Sequence, residues 1–76
     1  MPKITPINYR KLVCIFEKAG FIYSRTKGDH IIYTRSGIIR PLVIPMYSQI
    51  PVFVIKNLLR TAGIEREKYF ELLEKG

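Results

Sequence analysis

The sequence predicts an α+β domain with the element order α-β-β-β-α, in which helices cover one face of a three-stranded antiparallel sheet, plus a short C-terminal helix. Two segments repeat apolar residues at three- and four-residue steps, as amphipathic helices do. Between them lie three short stretches rich in β-branched and aromatic residues, separated by turn signals. The length of 76 residues fits a single domain over residues 1–76.

The first helix is predicted within "ITPINYRKLVCIFEKAG". Thr5 is the expected N-cap, Pro6 fits the first helical position, and Gly20 ends the helix. Cys14 falls inside the helical apolar pattern, so we expect it in the core. As the single cysteine, it cannot form an intrachain disulfide. The expected apolar face consists of Tyr9, Leu12, Val13, Phe16 and Ala19.

Three strands are predicted at residues 21–27, 30–35 and 38–44. The Gly28-Asp29 pair between the first two is a hairpin signal, and Ser36-Gly37 turns the chain again. Connections this short join neighbouring antiparallel strands, which gives a meander. Pro41 within the third strand favours an edge position, because proline has no N–H to donate to a ladder.

A second helix is expected from Pro51 to Gly63, and a third in "EREKYFELLEK", where Tyr69, Phe70 and Leu73 can dock it. Neither a helix nor a sheet can bury its apolar side alone. The helices should therefore cover one sheet face.

The charge is strongly basic, with 13 Lys and Arg against 6 Asp and Glu, for a net +7. Ten of the bases and only two of the acids fall in residues 1–60. A strongly basic domain attracts polyanions. This favours the interpretation that the charge binds nucleic acid over the alternative that it serves only solubility. No apolar run approaches the ~20 residues that span a bilayer, and the first residues lack the apolar stretch of a signal peptide. We therefore expect a cytoplasmic protein with no membrane segment.

His30 is the only histidine and directly follows the expected hairpin turn. With one histidine and one cysteine, neither a protein-only metal site nor a cofactor is expected. Alternation puts His30 and Ile32 on one sheet face, and Ile31 and Tyr33 on the other. Both faces mix apolar and polar residues, so the pattern leaves open whether His30 faces solvent or the helices. By itself, the histidine can be a solvated bystander.

Four segments, "KLVCIFEKAGF", "KGDHIIY", "RPLVIP" and "IKNLLRTAGI", occur in an order and spacing that resemble the HicA family of small mRNA-interferase toxins. The resemblance extends from about Ile4 to Leu73 and implies a fold like that of double-stranded-RNA-binding domains. It also implies an endoribonuclease that cleaves mRNA without a metal, using a histidine on the first hairpin, and a HicB-like antitoxin protein that blocks the site. His30 is then the candidate catalytic residue.

The chemistry of a histidine suits this reaction. RNA is cleaved by its own 2′-hydroxyl when one group removes that proton and another protonates the leaving oxygen, and each step is worth ~10²–10⁴-fold. Histidine titrates close to neutral pH and can serve in either step. Nearby cations can stabilise charge on the phosphate, Gly28 lets a phosphate approach the backbone, and Asp29 either orients the imidazole or only completes the turn. The candidate RNA-binding residues are Arg25, Lys27, Gly28, Arg35, Arg40 and Tyr47.

The sequence also departs from the family pattern. Ile31 stands beside His30 where many members have a second histidine, Tyr47 stands where a further histidine is common, and Phe53-Val54 replaces a Gly-Thr pair. Three functions therefore stay open: a ribonuclease toxin, a catalytically silent RNA-binding or antitoxin-binding domain of the same fold, and an interaction protein whose basic and apolar surface meets an acidic partner.

Overall fold

Three helices and three strands make up the computed structural model, which describes residues 3–75. The order α-β-β-β-α with a further C-terminal helix confirms the predicted α+β class. None of the helices in this range is long and apolar enough to cross a membrane. The elements are α1 (Tyr9–Lys18), β1 (Ile22–Lys27), β2 (His30–Thr34), β3 (Leu42–Pro45), α2 (Val52–Ala62) and α3 (Arg66–Lys75).

The sheet is the expected antiparallel meander, with strand order β1-β2-β3. β2 is therefore central and β3 is an edge strand. Lys27 of β1 lies opposite His30 of β2, and His30 in turn lies opposite Pro45 of β3. These pairings fix which side chains share a face with the histidine.

A β-bulge interrupts β1 between Tyr23 and Arg25. Tyr23 pairs with Tyr33, while Arg25 pairs with the next residue of β2, Ile32, so that Ser24 is the extra residue. A bulge shifts the side-chain alternation by one position. As a result Tyr23 shares the face of Tyr33, whereas Arg25 shares the opposite face with Ile32.

All three helices contribute to a core on one side of the sheet. Phe16 of α1 and Phe21, just before β1, meet edge to face with ring centroids 5.8 Å apart, and Tyr33 of central β2 belongs to the same cluster. The buried members are Leu12, Ile15, Phe16, Phe21, Tyr33, Leu42, Ile44, Ile50, Ile55, Leu58, Leu59, Ala62, Tyr69 and Leu72. Burying this set against the helices leaves the other sheet face uncovered by any helix of residues 3–75.

Helix α1 begins later than the sequence predicts, so Thr5 and Pro6 do not open it. Asn8 is the N-cap, and its side-chain oxygen accepts a hydrogen bond of 2.9 Å from the Arg10 backbone N–H. The preceding Ile7 forms a β-bridge with Ile50, whose N–H donates to the Ile7 carbonyl at 2.7 Å. The segment before Asn8 thus pairs with the loop ahead of α2 and cannot wind into the helix.

The third strand is shorter than predicted, because β3 starts at Leu42 and not at Ile38. The Ile38 N–H donates to the Arg35 carbonyl at 3.1 Å in a turn. Pro41, which has no N–H, immediately precedes the first paired residue. The β-branched residues before it therefore form a loop, although the expected edge position is correct.

One expected burial also needs correction. Cys14 is exposed rather than part of the core, because α1 buries Leu12, Ile15 and Phe16 and the thiol projects outside that stripe. Phe70, which can dock α3, is partly buried beside the core. By contrast, the predicted end of α2 is confirmed, with Gly63 as its left-handed C-cap at φ 72°.

Candidate functional site

The face of the sheet opposite the helices carries the candidate site. Arg25, Lys27, His30, Ile32 and Val43 line a shallow concavity of about 410 Å³ on it. The register explains this grouping, since Lys27 lies opposite His30, Arg25 opposite Ile32, and Ile32 opposite Val43. The question that the sequence left open is thereby answered: His30 lies on the uncovered face, with 42% of its side chain exposed.

The turn beside the histidine leaves room for a ligand. Gly28 has φ +62°, whereas Asp29, like every other non-glycine residue in 3–75, has no positive φ. A glycine with positive φ at the first central position is typical of a type II′ hairpin turn. No heavy atom lies within 4 Å of the position that a Cβ would take at Gly28. No residue in 3–75 therefore fills the space beside the turn backbone at Gly28.

The Asp29 carboxylate is the acidic neighbour of the histidine in the turn. Its Oδ1 lies 2.9 Å from Nδ1 of His30. An ionised carboxylate can only accept, so a hydrogen bond across this contact requires the proton on Nδ1. In the neutral ring, Nε2 is then the nitrogen with a free lone pair, available to take a proton from a substrate.

The floor of the concavity is apolar. Ile32 is 7% exposed, and Val43 beside it on β3 is 45% exposed. Sequence reasoning missed both residues, since Ile31 and Ile32 are equivalent in composition and only the register shows which one faces the histidine. Ile22, 68% exposed and paired with Thr34, extends this apolar surface along β1. The site therefore combines two cations and one imidazole with an apolar floor.

Tyr47 lies near the hairpin turn. The N–H of the preceding residue, Met46, donates to the Asp29 carbonyl at 2.8 Å, and the Tyr47 carbonyl accepts from the Tyr9 N–H at 3.1 Å. These bonds tie the loop after β3 to both the turn and the start of α1. Tyr47 keeps 46% of its surface exposed.

Arg35 and Arg40 are not brought to this site. Arg35 follows the far end of β2, about 16 Å along the strand from His30, and its guanidinium carbon lies 5.8 Å from the centre of the Phe21 ring. Arg40 lies in the loop before β3 and lines a different cleft with Arg60. Of the cations proposed from the sequence, only Arg25 and Lys27 share the concavity with His30.

A separate polar contact lies on the helix side of the hairpin. The Tyr33 hydroxyl donates to Oε2 of Glu17 at 2.8 Å. Burial, followed by this hydrogen bond and the negative charge of Glu17, raises the pKa of Tyr33 to about 12. The phenol stays protonated at neutral pH and joins α1 to the central strand behind the site.

Within residues 3–75, no three His, Cys, Asp or Glu side chains come together as potential metal ligands.

Comparison with known proteins places the chain in a family. Residues 9–64 match the model of the family described as "HicA toxin of bacterial toxin-antitoxin". The matched range runs from the start of α1 to just beyond α2 and includes the whole sheet with its uncovered face. Curated protein sequences give no significant match. Since the family match covers well over half of the chain, the protein belongs to the HicA toxin family of bacterial toxin–antitoxin systems.

Proposed function

We propose that this toxin is an endoribonuclease that cleaves mRNA on the uncovered face of the sheet, with His30 as its catalytic residue. One observation carries the proposal: the register places His30, Arg25 and Lys27 around one concavity, with Nε2 of the histidine left free by the Asp29 contact. A proton acceptor beside two cations is an arrangement that suits attack at a phosphodiester.

In the proposed reaction, Nε2 of His30 takes the proton from a ribose 2′-hydroxyl. The 2′-oxygen then bonds to phosphorus, and the bond from phosphorus to the 5′-oxygen of the next nucleotide breaks. Water, which reaches this exposed face, supplies the proton for the leaving 5′-oxygen. The products are a 2′,3′-cyclic phosphate and a 5′-hydroxyl, so the steps balance without an added cofactor.

The remaining residues of the concavity would bind and orient the RNA. Arg25 and Lys27 lie on β1 beside the histidine and can neutralise the charge that grows on the phosphate oxygens. The turn backbone at Gly28 is open to the same phosphate. Tyr47, half exposed near the turn, can stack on an unpaired base.

A toxin of this family implies an antitoxin partner, and we propose a HicB-like protein that binds over the same face. The face offers cations together with the exposed apolar side chains of Ile22 and Val43. An acidic protein with apolar side chains of its own complements such a surface. Covering the concavity would exclude RNA from His30.

The nuclease proposal is tested with the variant His30→Ala and labelled mRNA. We expect the wild type to cleave it and the variant to lose at least ~10²-fold in rate, the lower bound of a general-base contribution. RNA affinity should stay nearly unchanged, because the cations remain. Cleavage by the variant at the wild-type rate would refute the role of His30.

A second candidate function, a catalytically silent RNA-binding or antitoxin-binding domain, is favoured by one feature. Tyr47 occupies the loop beside the turn where a histidine is common in the family, and a phenol is a poor acid or base at neutral pH. Phe53, 68% exposed in the first turn of α2, adds apolar surface suited to a protein partner. Under this alternative, wild type and His30→Ala bind RNA or antitoxin equally and both leave the RNA intact.

A further inference from the structure

A second cleft, of about 380 Å³, lies between the loop before β3 and the C-terminal half of α2. Two arginines from distant parts of the chain meet there, Arg40 of the loop and Arg60 of the helix. The cleft is lined by Gly37, Ile38, Ile39, Arg40, Arg60 and Thr61. It is separate from the concavity that contains His30, and sequence reasoning did not include Arg60 as a candidate residue.

The positive charge of this cleft is not neutralised by an ion pair with any residue in 3–75. Residues 30–64, which supply β2, β3, α2 and the loops between them, contain no Asp or Glu. Among the residues that the structure describes, Arg40 and Arg60 enter no ion pair. Two guanidinium groups on one cleft repel each other, and an anion between them would relieve that repulsion.

The donor set indicates which anion fits. Guanidinium groups present planar forks of N–H donors that match phosphate oxygens in pairs. The Thr61 hydroxyl already donates to the Asn57 carbonyl at 3.1 Å, so the arginines are the main donors that the cleft offers. Ile39 beside them is 99% exposed and supplies an apolar contact for a sugar or a base. A nucleic acid strand has both a charged phosphodiester for the two arginines and an adjoining sugar and base for Ile39.

The cleft lies along β3 from the candidate catalytic site. His30 pairs with Pro45 at one end of β3, and Leu42, at the other end, is about 10 Å away along the strand. Arg40 precedes Leu42 by two residues. Because α2 packs on the sheet face opposite His30, a single RNA strand bound at His30 has to continue along edge strand β3 and around it before it reaches the cleft.

We propose that the Arg40–Arg60 cleft is a second phosphate-binding site for the RNA strand, remote from the bond that is cleaved. This inference rests on the proposed ribonuclease function and adds to it a determinant of substrate length. The site holds a flanking part of the RNA, so it lowers the KM for long RNA and leaves the chemical step to His30.

The test measures binding of a labelled single-stranded RNA at several salt concentrations, with every protein in the His30→Ala background. Each phosphate contact with a single strand contributes about 0.7 to the slope of log affinity against log salt. The double variant Arg40→Ala/Arg60→Ala removes the site for one phosphate and should therefore reduce the slope by about 0.7. An oligomer too short to reach the cleft should bind the parent and the double variant equally.

Two controls separate a site from general charge. Lys3→Ala/Lys18→Ala removes the same two charges from exposed positions elsewhere and should leave the slope nearly unchanged. Arg40→Lys/Arg60→Lys keeps the charges but removes the paired donors, so its affinity should fall between those of the parent and the alanine variant. With His30 intact, Arg40→Ala/Arg60→Ala should raise KM for long RNA without changing kcat.

Two results would overturn the inference. The first is an equal salt slope for Arg40→Ala/Arg60→Ala and Lys3→Ala/Lys18→Ala. The second is a loss of antitoxin affinity in Arg40→Ala/Arg60→Ala with unchanged RNA binding, which would make the cleft a protein-docking site. In either case, cleavage that still depends on His30 would leave the proposed function standing. If no variant binds RNA at all, the ribonuclease proposal and this inference both fail.

Discussion

Asp29 and His30 are neighbours in sequence, and the turn brings the Asp29 carboxylate to 2.9 Å from Nδ1 of the imidazole. Adjacent residues of a strand normally point to opposite faces, but Asp29 lies in the turn and only His30 belongs to β2. The carboxylate can therefore reach back to the ring. If Nδ1 donates its proton to this carboxylate, Nε2 is the basic nitrogen.

Replacing Asp29 by alanine should lower kcat for RNA cleavage about tenfold, a part of the ~10²–10⁴ that a general base contributes. The ring would lose its fixed tautomer and orientation, whereas KM should change little because Arg25 and Lys27 remain. Asp29→Asn is the matched control. Its side-chain oxygen can still accept from Nδ1, so it should retain more activity than the alanine variant. An alanine variant with wild-type kcat would show that Asp29 is only a turn residue.

The bulge at Ser24 leads to an unusual prediction for deletions in β1. Removing Ser24 should give a regular strand that keeps Tyr23 opposite Tyr33 and Arg25 opposite Ile32. Every remaining side chain would stay on its own face. We expect the deletion variant to fold, with a free energy of unfolding within about 1 kcal/mol of the wild type, and to cleave RNA.

Deleting Thr26 is the matched control, since it removes one residue from the same strand. It leaves the bulge in place and moves Lys27 to the helix face opposite Ile31, where a charge has no partner. That variant should lose both stability and RNA affinity, as measured by urea unfolding and RNA titration. If the two deletions are equally harmful, the register does not determine the site.

The bulge also explains why the site was only partly predictable from sequence. The hairpin, its turn and the neighbouring cations follow from residue types at short spacing. The residue types do not show which sheet face His30 occupies, because β2 has an isoleucine on each face. The extra residue in β1 also breaks the alternation, and no glycine or proline marks its position. The cap at Asn8 was hidden for a similar reason, since Thr5-Pro6 is an equally good local signal and only the pairing of Ile7 with Ile50 excludes it.

Tyr33 predicts a loss of stability in alkaline solution. An unperturbed tyrosine titrates near pH 10, whereas the folded protein raises the pKa of Tyr33 to about 12. Between these values the unfolded chain has lost the proton and the folded chain still holds it, so the free energy of unfolding falls as pH rises. The contribution of Tyr33 to the free energy of unfolding is fully present below about pH 10 and amounts to ~2–3 kcal/mol.

Tyr33→Phe should remove the contribution of Tyr33 to this dependence. At pH 7 the variant loses the hydrogen bond to Glu17 and should be less stable by about 1 kcal/mol. Above pH 10 the gap between variant and wild type should narrow and then reverse, because only the wild type has an ionising phenol at position 33. Urea unfolding of both proteins at pH 7 and near pH 11 measures this. A gap that stays constant with pH would contradict the raised pKa.

Tyr69 predicts the opposite effect from the same substitution. Its side chain is 1% exposed, and its buried hydroxyl has no hydrogen-bond partner among the residues that the structure describes. Burial also raises the pKa of Tyr69. A buried hydroxyl without a partner costs about 1–3 kcal/mol, while the ring keeps its edge-to-face contact with Phe70 at 5.2 Å in either residue.

Tyr69→Phe should therefore raise the free energy of unfolding by about 1 kcal/mol, which for a domain of this size corresponds to about 4–8 °C in Tm. Urea and thermal unfolding at pH 7 measure the change, and Tyr33→Phe serves as the matched control because it removes a hydroxyl that is hydrogen-bonded. The two substitutions delete the same atom, so their opposite signs would depend only on whether that atom has a partner. A destabilised Tyr69→Phe variant would mean that the hydroxyl is satisfied in solution.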